Sequence, residues 1–199
     1  MTQDAASAAF DDTVWNDVVK PVSNGIEAIQ APLSPELAEL VRSEHVDALF
    51  AALRRRSTFT VVDTSAYVND AVLRAIECAD RLILVTDGNL PSIKSARQLL
   101  QLLEKVGIQH PGCLLVLNRA GAELAAGAQE VGTLIGLPVA VEIPNADVLA
   151  ARTTQHGDPV GSAHPDSTMA NRFRELAAIL VGNHATPARR RRKRFSLRS

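Results

Sequence analysis

The chain has 199 residues, 46% hydrophobic, 22% charged and 4% aromatic, which is ordinary globular usage and predicts one compact domain. No uncharged apolar stretch approaches the roughly 18 residues of a membrane span, and residues 1–12 lack the basic start of a signal peptide, so we expect neither a membrane-spanning nor a secreted protein. The net charge of −1 divides into about −8 on the body and +7 on residues 189–198, so the body is expected to bind nucleic acid poorly.

Residues 1–23 are predicted to form a separate N-terminal segment. Within it, Val14, Trp15, Val18 and Val19 have the spacing of one face of a short amphipathic helix. The segment therefore offers no convincing strand to the sheet that the rest of the sequence predicts.

A strand is predicted at residues 26–30, and a helix follows it. Ser34 suits the N-cap of this helix and Pro35 its first position, because proline needs no hydrogen-bonding partner there. The helix is expected to run as far as Arg56.

The central and C-terminal parts of the sequence alternate between strands and helices. Contiguous apolar runs, typical of strands buried on both faces, occupy residues 59–64, 81–87, 113–118 and 138–143. Helical spacing occupies residues 68–79, 92–106, 123–135 and 167–181, the last ending at Gly182 as C-cap. This alternation predicts an α/β fold, a mostly parallel sheet with helices on both faces.

The two cysteines, Cys78 and Cys113, lie 35 positions apart, without a C-x-x-C spacing or a histidine at zinc-site spacing. This pattern argues against a disulfide framework and against a metal site. We expect both to be buried thiols of a cytoplasmic protein.

Polar residues follow several predicted strands, at the edge where parallel α/β sheets bind ligands. Asp63 ends an apolar strand, a context in which a carboxylate can hold Mg²⁺ through water; its alternative role is to cap the next helix. Asn118 can hydrogen-bond a base edge, or it can be a polar turn residue. The other candidates at this edge are Thr64, Thr86, Asp87, Arg119, Pro144 and Asn145.

Four motifs in this order resemble the MinD/ParA ATPases, and within them the CpaE/TadZ branch associated with Tad pilus assembly and localisation. The motifs are VVDT (61–64), LILVTDGNLPSIKSARQLL (82–100), LLVLNRAG (114–121) and EIPNADVLAARTTQHGDPV (142–160). The resemblance covers about residues 24–183. It implies a domain over residues 24–184 with a P-loop NTPase-like fold that is incomplete at its N-terminus.

The resemblance also implies which residues belong to a remnant nucleotide site. Asp63, with Thr64 beside it, matches the Walker B or switch II aspartate, which would hold Mg²⁺ through water only if nucleotide binds. Asn118, followed by Arg119, matches the asparagine on the adenine side. The loop expected to close over the base contains Pro144, Asn145 and Asp147.

The glycine-rich phosphate loop of this family, G-x-x-x-x-G-K-[ST], does not occur in the sequence. Residues 88–95, GNLPSIKS, hold a Lys-Ser pair without the second glycine, and Tyr67 stands where the family has a glycine after the switch aspartate. We therefore expect no hydrolysis and no cofactor for this chain alone. In this family the strand of the phosphate loop lies beside the strand that corresponds to residues 59–64, and residues 1–23 offer no substitute for it. We expect that the neighbouring strands close this gap, that another chain fills it, or that the sequence is a fragment.

The C-terminal residues 185–199 are predicted to form a disordered basic tail. Residues 189–198 hold seven basic residues and no acid, which leaves 14 basic and 22 acidic residues for the rest of the chain. The tail can bind an anionic membrane, or nucleic acid, or act only as a solubilising segment. The residues that would make the contacts are Arg189, Arg190, Arg191, Arg192, Lys193, Arg194, Phe195 and Leu197.

Three functions remain open from the sequence. The leading hypothesis is a non-hydrolysing CpaE/TadZ-like localisation or assembly factor that binds proteins, including pilus or secretion components and a second copy of itself. The second is a MinD/ParA ATPase that uses ATP and Mg²⁺ with a P-loop supplied from elsewhere, and the weakest is a ParA-like nucleoid binder. We expect a cytoplasmic protein, peripheral at the inner face of the membrane.

Overall fold

The computed structural model describes residues 12–22, 25–31, 34–38, 40–108, 112–123 and 125–182. The chain divides into two compact units, Met1–Asp80 and Arg81–Ser199. The domain boundaries expected from the sequence stay predictions, and the tail at residues 185–199 lies outside the described residues. None of the helices in the described ranges is long and apolar enough to cross a membrane.

The first unit combines a small antiparallel hairpin with helices. Its described elements are α1 (Asp12–Val18), β1 (Val19–Pro21), β2 (Glu27–Ile29), α2 (Pro35–Ala38), α3 (Ser43–Arg56) and α4 (Asp70–Cys78). The strand expected at residues 26–30 is present as β2, and it pairs antiparallel with β1, Lys20 opposite Ala28. Gly25 lies in the turn with φ 75°, a conformation that glycine adopts without strain.

The N-terminal amphipathic helix forms, but it is shorter than its apolar pattern. α1 ends at Val18, and Val19 begins β1. Trp15 and Val19 pack with Ala52 of α3 in a small core, and the Arg56 guanidinium lies 4.7 Å from the centre of the Trp15 ring. The N-terminal helix is thus packed against α3 through this small core.

Two predictions for the first unit are wrong. The helix expected from Ser34 to Arg56 is divided into α2 and α3, because the extended Arg42 donates its backbone N–H to His45 Nδ1 (3.1 Å) and begins a new helix. Residues 59–64 form no strand and belong to neither described sheet. A strand needs a hydrogen-bonding neighbour as well as β-prone side chains, and Val61 remains 87% exposed.

The second unit contains the parallel sheet that the sequence predicts. Its described elements are β3 (Ile83–Thr86), α5 (Leu90–Lys105), β4 (Leu114–Ala120), α6 (Ala128–Ile135), β5 (Val139–Pro144), α7 (Asp147–His156), α8 (Val160–Ala163) and α9 (Thr168–Gly182). The strand order is β3-β4-β5, and both pairs are parallel. The helix α7 was not predicted, because none of its side chains is buried.

Both faces of this sheet are covered by helices, which confirms the predicted fold class. On one face, Leu84, Leu115 and Leu117 form a core with Val131 and Ile135 of α6 and with residues of α5. The opposite face packs against α9, through a second core. The residues of that second core are Val116, Val141 and Ile143, with Met169, Leu176 and Ile179 of α9 against them.

The two cysteines are free and half-buried, one in each unit. Burial raises the pKa of both the Cys78 and the Cys113 thiol, because the interior disfavours the charged thiolate. The thiolate, which is the nucleophilic form, is thus disfavoured at both residues, and both are less buried than the sequence predicts.

Candidate functional site

The candidate site lies at the carboxyl ends of β4 and β5, within the second unit. Ala120, at the end of β4, is paired with Pro144, at the end of β5. The pairing continues one residue further, since the Asn145 N–H donates to the Ala120 carbonyl (2.9 Å). The residues that follow the two strands are thereby held side by side.

Four of the residues singled out from the sequence meet here as a strand-end cluster, defined as Asn118, Arg119, Asn145 and Asp147. Arg119 Nη2 lies 3.3 Å from Asp147 Oδ1, and its Nε lies 3.5 Å from Asn145 Oδ1. Asn145 Nδ2 donates to Asp147 Oδ2 (3.2 Å), which closes the triangle of side chains. The structure thus brings these residues together, and their part in nucleotide binding stays a prediction.

The backbone of Arg119 is in the left-handed region, with φ 54°. Its N–H donates to the Asn118 side-chain Oδ1 (3.0 Å), and the register of β4 against β5 shifts between Leu117 and Ala120. Such a bulge changes the direction of side chains at a strand end, here toward the loop after β5. A non-glycine residue in this conformation destabilises the folded state by about 1–2 kcal/mol. The surrounding contacts must therefore hold the Arg119 backbone in place.

Replacing Arg119 tests this backbone conformation. We expect Arg119→Gly to be more stable than Arg119→Ala by about 1 kcal/mol, because both variants lose the side chain but only glycine is unstrained at φ 54°. Urea unfolding followed by circular dichroism measures the difference. Equal stability of the two variants would show that the left-handed conformation is not maintained in solution.

The ion pair in the strand-end cluster is weak and exposed. The side chains of Arg119 and Asp147 are 56% and 66% exposed, and pairs of this kind contribute only about 0–1 kcal/mol. The guanidinium and the two amides can therefore exchange their mutual contacts for those of a ligand at low cost. Planar donors and acceptors of this type suit the edge of a nucleobase.

The remaining predicted site residues divide between the two units. Pro144 is half-buried at the end of β5, next to Asn145. Asp63 and Thr64 belong to the first unit, where both are exposed and lie outside any helix or strand. Within the described ranges, no three acidic, histidine or cysteine side chains converge to hold a metal ion.

The P-loop look-alike at residues 88–95 forms the start of α5 instead of a phosphate loop. The Asn89 side chain caps this helix by accepting the Ser92 N–H (2.9 Å), and Asp87 Oδ1 accepts the Asn89 N–H (3.2 Å). A carboxylate and an amide oxygen thus lie where a phosphate would have to bind, while Lys94 is exposed on the body of the helix.

Gly88 packs tightly against the loop that follows β4. Its carbonyl accepts the Ala126 N–H (2.9 Å), and a Cβ at this glycine would come within 2.7 Å of the Ala126 carbonyl oxygen. The Gly88 carbonyl and the Asn89 N–H of this turn are thus both bonded within the protein. Within the described residues 88–95, the helix start is thus capped by the protein's own side chains, and a role of the strand-end cluster in binding a base stays a prediction.

The sequence of the chain is similar to ATP-binding and MinD proteins, although no known family profile matches it. It is 26% identical over 167 residues to an uncharacterized ATP-binding protein of Methanocaldococcus jannaschii, covering 83% of this chain and 62% of that protein. It is 24% identical to the septum site-determining protein MinD of Thermotoga maritima, covering 72% of this chain and 54% of that protein. The chain thus spans between half and two thirds of the length of these relatives.

Solved structures of ParA and MinD proteins resemble this fold over most of the chain. A ParA family ATPase from Chlorobium tepidum superposes with a TM-score of 0.75, 24% identity and coverage of 88% of this chain and 72% of that chain. MinD of Pyrococcus horikoshii, solved with Mg-ADP, superposes with a TM-score of 0.71 and 18% identity. This match covers 90% of this chain and 73% of that chain. Sequence and structure together relate this chain to the MinD and ParA ATPases, whose α/β fold, a parallel sheet flanked by helices, it has.

Proposed function

We propose that the chain is a non-hydrolysing, CpaE/TadZ-like localisation or assembly factor that uses the MinD/ParA fold to bind other proteins. The observation that carries this proposal is a contrast between two strand ends, of which one has groups suited to a nucleobase and the other has no groups suited to a phosphate. The strand-end cluster keeps groups that suit a base, whereas Asp87 and Asn89 occupy the helix start that resembles a P-loop. Pilus or secretion components are the proposed partners.

The size of the missing interactions supports a role without hydrolysis. A phosphate loop supplies several backbone donors, a lysine and a magnesium-binding hydroxyl, and loss of a single well-placed transition-state donor costs about 3–4 kcal/mol. The loss of several together exceeds anything that the exposed Arg119 can restore. Protein contacts are a known use of this fold, since a MinD of Aquifex aeolicus, 20% identical and with a TM-score of 0.50, was solved as a complex with MinC.

The alternative is an ATPase whose phosphate loop comes from another chain or from sequence outside these residues. It is favoured by the similarity to an ATP-binding protein and to a MinD solved with Mg-ADP. In that case ATP and Mg²⁺ would be the cofactors, and Asp63 would be the residue that holds the metal through water. An in-frame K-G-G-x-G-K-[ST] in the DNA upstream of Met1 would favour this alternative.

Calorimetric titration with Mg-ATP tests the leading proposal directly. We expect no binding heat in the micromolar range, because the triphosphate would lack compensating donors and cations. The matched variant is Asn118→Ala, which removes only the side chain expected to contact the base. Micromolar binding by the parent chain that is lost in Asn118→Ala would overturn the scaffold proposal and establish a nucleotide site.

The basic tail supplies a second proposed element of the function. We propose that residues 189–197 hold the protein at the anionic inner face of the membrane, where it would be a peripheral cytoplasmic protein. Phe195 and Leu197 would enter the interface between headgroups and acyl chains. A ParA-like nucleoid role is the weaker alternative, and it requires the same cations to neutralise phosphates of DNA.

A further inference from the structure

Asp147 supplies the carboxylate of the strand-end cluster, and both of its oxygens are held in place by neighbours. Its Oδ1 accepts from Arg119 Nη2 (3.3 Å), and its Oδ2 accepts from Asn145 Nδ2 (3.2 Å). A carboxylate has about four lone-pair sites on its two oxygens, so each oxygen retains one for a further donor. The side chain of Asp147 is 66% exposed, which leaves this carboxylate open to a ligand.

Arg119 places a donor beside this pair of acceptors. Its contacts with Asp147 and Asn145 engage Nη2 and Nε, and a guanidinium has five N–H groups in all. Because Nη2 is bonded to Oδ1, the groups follow one another in the order donor, acceptor, acceptor, namely Arg119 Nη2, Asp147 Oδ1 and Asp147 Oδ2. This order is a hydrogen-bonding pattern that the edge of a planar ligand either matches or opposes.

The pattern distinguishes between the two purine bases. The Watson–Crick edge of guanine carries an acceptor and two donors, which are O6, N1–H and the N2 amino group, and this order is the complement of the cluster. The same edge of adenine carries the N6 amino donor and then the N1 acceptor. Adenine would therefore set a donor against Arg119 and a lone pair against the Asp147 carboxylate, and such unmatched contacts are unfavourable.

Asn118 contributes to the cluster without separating the two bases. Its Oδ1 accepts the Arg119 N–H (3.0 Å), and its Nδ2 is a donor. The N7 acceptor of a purine is present in adenine and in guanine alike, so a bond from Asn118 would stabilise either base. The difference between the bases consequently depends on Asp147.

We propose that the strand-end cluster binds guanine in preference to adenine, with Asp147 as the residue that determines the preference. The proposal develops the base-binding role predicted for this cluster, and it requires neither a phosphate loop nor hydrolysis. Binding of the base is weak, because the cluster is exposed and water competes for the same groups.

The first test compares GMP, IMP and AMP as ligands of the isotope-labelled full chain, by titrations followed in two-dimensional NMR spectra. The three nucleotides share one ribose phosphate, so differences in Kd report on the base. We expect GMP to bind at least about fivefold more tightly than AMP, the lower end of the discrimination by a bidentate base contact. IMP is expected to fall between them, because it keeps O6 and N1–H and lacks the N2 amino group. AMP that binds as tightly as GMP, or GMP that does not bind, would overturn the proposal.

The second test replaces the discriminating carboxylate. Asp147→Asn exchanges one acceptor for a donor at nearly constant size, so we expect GMP to lose its advantage over AMP. Asp158→Asn is the matched control, because Asp158 is exposed between α7 and α8 and its replacement removes the same charge; we expect the preference to be unchanged. A folded Asp147→Asn protein that still prefers GMP, or an equal change in both variants, would overturn the role of Asp147.

Circular dichroism checks that the variants fold, and the comparison of GMP with AMP on the parent decides the preference if Asp147→Asn does not. The scaffold proposal is tested separately by the Mg-ATP titration. Equal binding of the three monophosphates would reject the guanine preference and leave the result of that titration unaffected.

Discussion

Leu115→Ala is expected to lower the free energy of unfolding by about 2–5 kcal/mol, the range for removing a buried leucine side chain. Leu115 lies near the start of β4, the central strand, between Leu84 and Val139 on the neighbouring strands, and it is 0% exposed. The cavity opens between the sheet and the helices α5 and α6, where the surrounding side chains are held by the strands and can relax only in part. Urea unfolding followed by far-ultraviolet circular dichroism measures the change.

Leu90→Ala is the matched control for this prediction. Leu90 is 73% exposed at the start of α5, and we expect its replacement to change stability by less than about 0.5 kcal/mol. Fluorescence is the wrong probe for the comparison, because the single tryptophan, Trp15, belongs to the first unit. A Leu115→Ala protein as stable as its Leu90→Ala counterpart would contradict the core described for the second unit.

Replacing the six cations of residues 189–194 by glutamine is expected to weaken binding to anionic vesicles by about a thousandfold or more. Each cation near an anionic surface contributes on the order of 1 kcal/mol, so the effect of six exceeds that of any single substitution in the tail. The measurement is co-sedimentation with vesicles of mixed phosphatidylserine and phosphatidylcholine. We expect the parent to lose affinity as salt is raised, because the attraction is screened.

The control for the tail keeps its charge and removes its apolar groups. Phe195→Ser with Leu197→Ser is expected to reduce vesicle binding much less, and vesicles of phosphatidylcholine alone are expected to bind neither protein. Retention on DNA without binding to anionic vesicles would reject the membrane role and favour the nucleoid alternative. Equal vesicle binding by the parent and the glutamine variant would show that the tail is only a solubilising segment.

The parallel sheet could be predicted from the sequence because its strands are apolar on both faces. Runs such as residues 113–118 show this directly, and the helices between them have clear apolar spacing. The errors fall where a structure depends on more than a local pattern. Residues 59–64 have the composition of a buried strand, but the described chain supplies no adjacent strand in the sheet. The start of α3 depends on His45 binding the Arg42 N–H, an unusual cap that the sequence does not reveal.

The positions of the strand-end cluster could also be predicted, because parallel strands bring their carboxyl ends to one edge. Asn118 and Asn145 were recognised in this way. The left-handed backbone of Arg119 and its contact with Asp147 could not be predicted from the sequence, because both depend on the register shift between β4 and β5. The helix predicted at residues 92–106 is present as α5, and the N-cap residue Asn89, two positions after Asp87, was the sequence signal that it begins at Leu90.

The tight packing of Gly88 against Ala125 and Ala126 joins the loops that leave two adjacent strands. A movement of either loop must be shared by the other, since neither can separate without breaking the hydrogen bond from Ala126 to Gly88. Any residue with a side chain at position 88 would clash with Ala125 and Ala126 and force the two loops apart.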